Sequence, residues 1–153
     1  MKLFERPATE YEDSKPNTKL KLSAAWMALI AFYIYADFLS LYRPGQIDEV
    51  QRDVMGPFDV SQATLLVASL IVMIPAVMIV LSLLLSATVN RSLNLGLAIL
   101  YTLVNISNLV GDEPWAYYFL FGIGEIALTV YIFFTARRWP ARGVTQVGTA
   151  VGG

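Results

Sequence analysis

Two carboxylates, Asp37 and Glu125, fall inside long apolar stretches of this chain, among residues that donate hydrogen bonds and hold protons. A charge at the centre of a bilayer costs roughly 2.5–3.5 kcal/mol on insertion scales, so an intramembrane acid usually faces a bundle interior and finds a partner there. Three of the apolar stretches carry a polar stripe on one helical face. Tyr33 and Asp37 are spaced i, i+4; Asn94, Tyr101, Asn105 and Asn108 are spaced i, i+7, i+11 and i+14. Tyr118, Gly122, Glu125 and Thr129 stack on a third face. With about 1.5 Å of rise per residue, Asp37 and Asn105 lie roughly 8 Å below the outer ends of their spans. Glu125 lies roughly 15 Å down, near the midplane, level with Tyr33 and Tyr101. The pattern predicts an internal cluster with an outer layer (Asp37, Asn105, Asn108) and a middle layer (Tyr33, Tyr101, Glu125). Its chemistry would be the binding of a proton or small ligand. With no Lys or Arg inside any predicted span, Glu125 is expected to be uncharged.

The same residues admit a plainer role. Polar side chains join transmembrane helices through hydrogen bonds worth ~0.6 kcal/mol on average, and Asn105 and Asn108 fit that role. A mid-depth carboxylate is costlier to use as glue, so Glu125 carries the functional expectation.

Positioning these stripes requires helices that cross a membrane. Apolar residues make up 56% of the 153 and charged residues 15%, against roughly 45–50% and about 25% in soluble domains. The excess gathers in four blocks, predicted to span at about 22–42, 62–85, 92–110 and 115–136, each near the ~20 residues that cross a hydrocarbon core. Short connections make this an all-α, up-and-down four-helix transmembrane bundle over residues 22–140. Residues 1–21, broken by Pro7 and Pro16, are expected to form a flexible tail; the Gly-rich residues 141–153 are expected to be disordered.

Arg43-Pro44-Gly45 ends the first span. From Gln46 to Met55, Ile47, Val50, Val54 and Met55 share one side, which predicts a short amphipathic helix lying on the outer surface. Asp59-Val60-Ser61-Gln62 has the form of an N-cap with a capping-box partner three residues later. Pro75 is expected to kink the second span. Asn90-Arg91 is read as the inner turn, and Gly111-Asp112-Glu113-Pro114 as the second outer one. Gly122 and Gly124 would allow close helix approach.

Under this topology nine of the eleven basic residues fall on one side, all but Arg43 and Arg52. The positive-inside rule places that side, with both termini, in the cytoplasm of an inner-membrane protein. Trp26, Tyr42, Trp115, Tyr117, Tyr118 and Trp139 are expected at the interfaces.

The chain has no cysteine and no histidine. Disulfide exchange, histidine-ligated haem and the usual zinc or iron–sulfur ligand sets are excluded, and no cofactor or metal is implied. A net charge of −1 gives no reason to expect nucleic acid. The partners implied are the lipid bilayer, a small-molecule ligand, and a second copy or another membrane protein.

Tyr33-Ile34-Tyr35-Ala36-Asp37, followed by Leu39-Ser40-Leu41 and Pro44-Gly45, resembles a bacterial family of small four-span integral membrane proteins without assigned function. Ile74-Pro75-Ala76-Val77-Met78 with Leu81-Ser82, then Asn90-Arg91 and Glu125-Ile126-Ala127, extend the likeness from about Lys21 to Pro140. The resemblance implies an architecture and supplies no catalytic residues. Three functions compete. The first is binding or transport of a small solute, lipid-like molecule or proton at the polar cluster. The second is an accessory or assembly subunit of a larger membrane complex. The third, an enzyme using Asp37 and Glu125 as acid and base, lacks an accompanying nucleophile, metal set or cofactor motif.

Overall fold

In a computed structural model, which describes residues 15–55, 58–110 and 115–140, Asn17 starts the first helix. Its Oδ1 accepts from the backbone N–H of Leu20 at 2.9 Å, satisfying one of the donors a helix start leaves open. Helix α1 (Thr18–Ser40) thus begins earlier than expected, and Lys19 and Lys21 belong to its first turn rather than to a tail. It stops ahead of Pro44 and Gly45, where Gly45 takes the left-handed φ of 83°.

Helix α2 (Gln46–Gln51) is shorter than its apolar pattern predicts. Asp53 adopts φ 58°, which breaks the helix. Val54 and Met55 instead form β1 (Val54–Met55), paired antiparallel with β2 (Phe58–Asp59). The Val60 N–H closes the hairpin onto the Asp53 carbonyl at 2.7 Å. Ile47, Val50 and Phe58 are each more than half exposed, so this connector does not bury its apolar side against the bundle.

Ser61 caps α3 (Gln62–Leu84), and Thr64 completes a reciprocal capping box. The Ser61 hydroxyl accepts from Thr64 N–H at 3.2 Å, and Thr64 Oγ1 accepts from Ser61 N–H at 2.8 Å. The expected Asp59/Gln62 pair does not cap, because Asp59 is held in β2.

The turn into α4 (Ala87–Leu109) lies at Leu85 and Ser86, both extended, and not at Asn90-Arg91. Asn90 serves that turn from inside α4: its Nδ2 donates to the Ser82 carbonyl at 2.6 Å. Helix α5 (Ala116–Arg137) completes the set. The expected outer turn at 111–114 and most of both tails lie outside the described residues.

Helix α1 packs against α3 and α5, and α5 against α4; α3 and α4 have few close approaches despite their short link. The start of α1, the end of α3, the start of α4 and the end of α5 meet at one end, where Lys19 Nζ donates to the carbonyls of Leu83 and Leu85 at 3.0 and 2.6 Å. Chain directions therefore alternate, as an up-and-down bundle requires. The four long helices have 22 or 23 residues, or ~33–35 Å, enough to cross a ~30 Å core. Their outer faces expose Leu66, Val67, Leu103 and Leu120 among many others, an apolar surface far beyond what a water-soluble monomer carries.

Two devices set the internal packing. Pro75 has no N–H, so the carbonyl four residues earlier, Ile71, loses its intrahelical donor. The Tyr101 hydroxyl replaces it from α4 at 2.8 Å. A Cβ on Gly122 would meet Leu109 Cδ2 at 2.5 Å, and one on Gly124 would meet Phe32 Cε2 at 2.5 Å. The two glycines thus admit α4 and α1, respectively, to the surface of α5.

Candidate functional site

The polar residues inside the bundle separate into two groups. Nearer the basic end, Trp26 donates its indole N–H to Asn94 Oδ1 at 2.7 Å. Asn94 Nδ2 donates to Asn90 Oδ1 and to the Asn90 carbonyl, at 2.7 and 2.8 Å. Asn90 passes the chain to the Ser82 carbonyl, and the Ser23 hydroxyl donates to the Ile79 carbonyl at 2.8 Å. Trp26, Asn90 and Asn94 are fully buried. Trp26 is therefore not an interfacial anchor as expected; its ring lies edge-on to Tyr101, with centroids 5.8 Å apart. This network ties α1, α3 and α4 together. Its signal in the sequence is the i, i+4 pair Asn90/Asn94, which becomes legible once both are placed within one helix.

The second group lies toward the other end. Tyr33 on α1 donates its hydroxyl to Asn105 Oδ1 on α4 at 2.6 Å, so two of the predicted residues do meet. Asn105 is fully buried, yet its Nδ2 has no partner among the described residues. Glu125 on α5 is only 6% exposed. Among the described residues, neither a cation nor a hydrogen-bond donor acts on its carboxyl; the charge that does reach it is that of Asp37. Tyr33 lies within electrostatic range of Glu125, Tyr101 and Tyr118, and Tyr118 within range of Asp37. The Tyr117 hydroxyl is a further buried group without a partner among the described residues.

Three expectations change. Asp37 is exposed, three residues from the end of α1, so it marks the mouth of the cluster rather than its interior. Asn108, one residue from the end of α4, is likewise exposed and belongs to no internal layer. Tyr101 is buried near Tyr33, but its hydroxyl is committed to Ile71. What remains is Glu125, Asn105 and Tyr33, with Tyr118 added and Asp37 at the rim. The sequence stripe contained Tyr118, but as a member of an interfacial belt. Thr129, lower on the same face, accepts from the Thr102 hydroxyl at 2.9 Å and fastens α5 to α4.

A buried acid without a donor, an amide with a free N–H and two phenols can hold a proton, a cation or a small polar molecule.

Fold and composition together define a multi-pass α-helical membrane protein. Within that class, the chain belongs to DUF6326, a family of unknown function whose profile matches residues 1–145, a longer stretch than the Lys21–Pro140 expected from the motifs. No curated protein and no solved structure matches it.

Proposed function

We propose that the protein binds, and exchanges across the outer half of the membrane, a proton or a small cationic solute at Glu125, with Asp37 as the first acid met at the mouth. The observation that carries this reading is Glu125 itself: a nearly buried acid on whose carboxyl neither a cation nor a donor acts among the described residues. Burying such a group is costly, and structural polar residues in membranes normally find partners. Asn105 Nδ2, which has no partner among the described residues, is a donor for a polar group of the same guest. Tyr33 donates to the Asn105 amide oxygen at 2.6 Å and lies within electrostatic range of Glu125. We assign the basic end, with both termini, to the cytoplasm of the inner membrane on the positive-inside rule, and the Asp37 end to the outer face.

The test is native mass spectrometry of the chain released from lipid nanodiscs. A retained small molecule that disappears in Glu125→Gln supports the site, as does pH-dependent proton uptake by liposomes that the same variant abolishes. Neither a ligand nor proton uptake in the wild-type chain refutes it. A second reading rests on Asp37 and Asn108, polar and exposed within helices: an accessory subunit would present such groups to another membrane protein. Release bound to a second polypeptide, lost in Asp37→Asn, would favour that role.

A further inference from the structure

Away from the acidic cluster, the basic end of the bundle holds an open cleft of about 830 Å³, lined by Lys19, Thr88, Arg91, Arg137 and Trp139 among others. Among the described residues, its lining holds three cations and no carboxylate. Lys19 is fixed by its two carbonyl bonds, while Arg91 and Arg137 are exposed. The first amides of α4 add to the same field, because Ser86 makes no side-chain capping bond.

A second concavity, an apolar groove of about 230 Å³, runs between α4 and α5 and is lined by Ala98, Ile99, Thr102, Val130, Phe133 and Phe134. Helical spacing puts the two in line. Arg91, Ala98 and Thr102 (i, i+7, i+11) share one face of α4; Arg137, Phe133 and Val130 (i, i−4, i−7) share one face of α5. From Arg91 to Thr102 is ~16 Å along the helix axis, much of the length of an acyl chain. Cationic cleft and apolar groove thus follow one another along one helix pair, the order in which a phospholipid carries its phosphate and acyl chain.

We propose that this face binds one anionic phospholipid, its phosphate held by Arg91 and Arg137 beside Lys19, and one acyl chain in the α4/α5 groove. The test uses the full chain in nanodiscs of equal phosphatidylcholine and phosphatidylglycerol, with retained lipid counted by native mass spectrometry. The wild-type chain is expected to retain one phosphatidylglycerol in preference to phosphatidylcholine. Arg91→Gln combined with Arg137→Gln should lower that preference about tenfold or more, from the loss of two cations at a charged surface. Ile99→Trp, at a half-exposed groove position, should reduce retention of both lipids. Arg43→Gln, at the opposite end, should change nothing. Equal retention of the two lipids by the wild-type chain overturns the proposal, as does a double variant with unchanged preference or an Arg43→Gln effect of the same size. Added inorganic phosphate should not displace the lipid; displacement would reduce the cleft to a free-anion site and overturn the lipid assignment.

Discussion

Replacing Tyr101 with Phe should cost stability only while Pro75 is present. The Tyr101 hydroxyl donates to the Ile71 carbonyl at 2.8 Å, and that carbonyl is free because residue 75 has no N–H to give it. Phe keeps the ring and its edge-on contact with Trp26, so the change isolates the hydroxyl. Interhelical hydrogen bonds in membranes average ~0.6 kcal/mol and reach ~1.7. This one should lie toward the upper limit, because its loss leaves a backbone carbonyl in hydrocarbon with nothing else to accept. It is also a rare link between α3 and α4, which otherwise make few close approaches. In a Pro75→Ala background the substituted alanine supplies the missing N–H to Ile71 within α3, and the hydroxyl becomes nearly redundant. A double-mutant cycle, read by reversible unfolding in mixed micelles with increasing sodium dodecyl sulfate, should give a coupling of about 1 kcal/mol. Equal costs of Tyr101→Phe in both backgrounds would refute the idea that the tyrosine replaces the proline's missing donor.

Other outcomes follow from single contacts. Trp26→Phe removes the indole donor from fully buried Asn94 and should cost about 1–3 kcal/mol, measured in the same unfolding assay. Gly122→Ala should cost about 1–3 kcal/mol, because its Cβ would come within 2.5 Å of Leu109 Cδ2 and 2.9 Å of Leu109 Cγ, so the whole isobutyl group must move. Gly122→Leu should split the α4/α5 seam, with partial rescue by Leu109→Ala in thermal stability. Ser61→Ala removes the α3 cap and should cost about 1 kcal/mol, visible as faster amide exchange at the start of α3. In the infrared at neutral pH, the wild-type chain should show a protonated carboxyl stretch that Glu125→Gln eliminates and Asp37→Asn leaves in place; its absence would mean that Glu125 is ionised.

The four helices were legible because lipid imposes a coarse rule: about twenty apolar residues in a row. Where that rule met a finer one, the pattern misled. Asn90 and Arg91 read as a turn because they interrupt an apolar block, yet Asn90 is folded back into the helix and satisfied across the turn it helps to make. Trp26 read as an interfacial anchor on residue type alone, since sequence cannot show which face of α1 meets Asn94. Asp37 and Asn105 read as equal in depth. Ser40 and Leu109, where α1 and α4 end, do place them at similar heights; the difference is in cover, with Asn105 fully buried and Asp37 exposed. Periodicity fixes which residues share a face, but the neighbouring helix decides whether that face is inside.

Hydrogen-bond satisfaction separates the two polar groups better than depth or residue type does. In the Trp26–Asn94–Asn90 network nearly every side-chain donor meets an acceptor, Ser82 Oγ being the exception. Such a network holds helices together and leaves nothing for a guest to bind. Around Asn105 the balance is reversed: its Oδ1 accepts from Tyr33, while its amide nitrogen has no partner among the described residues, and the nearly buried Glu125 accepts no hydrogen bond from them either. Buried polar groups without partners are costly, so they mark where a guest completes the structure. Converting the orphans to apolar isosteres therefore distinguishes glue from site. Asn105→Leu would sacrifice the Tyr33 bond yet remove an unsatisfied amide, so its stability cost should be small beside that of Asn94→Leu, which strands the Trp26 indole. A large cost at Asn105 and a small one at Asn94 would reverse the two assignments.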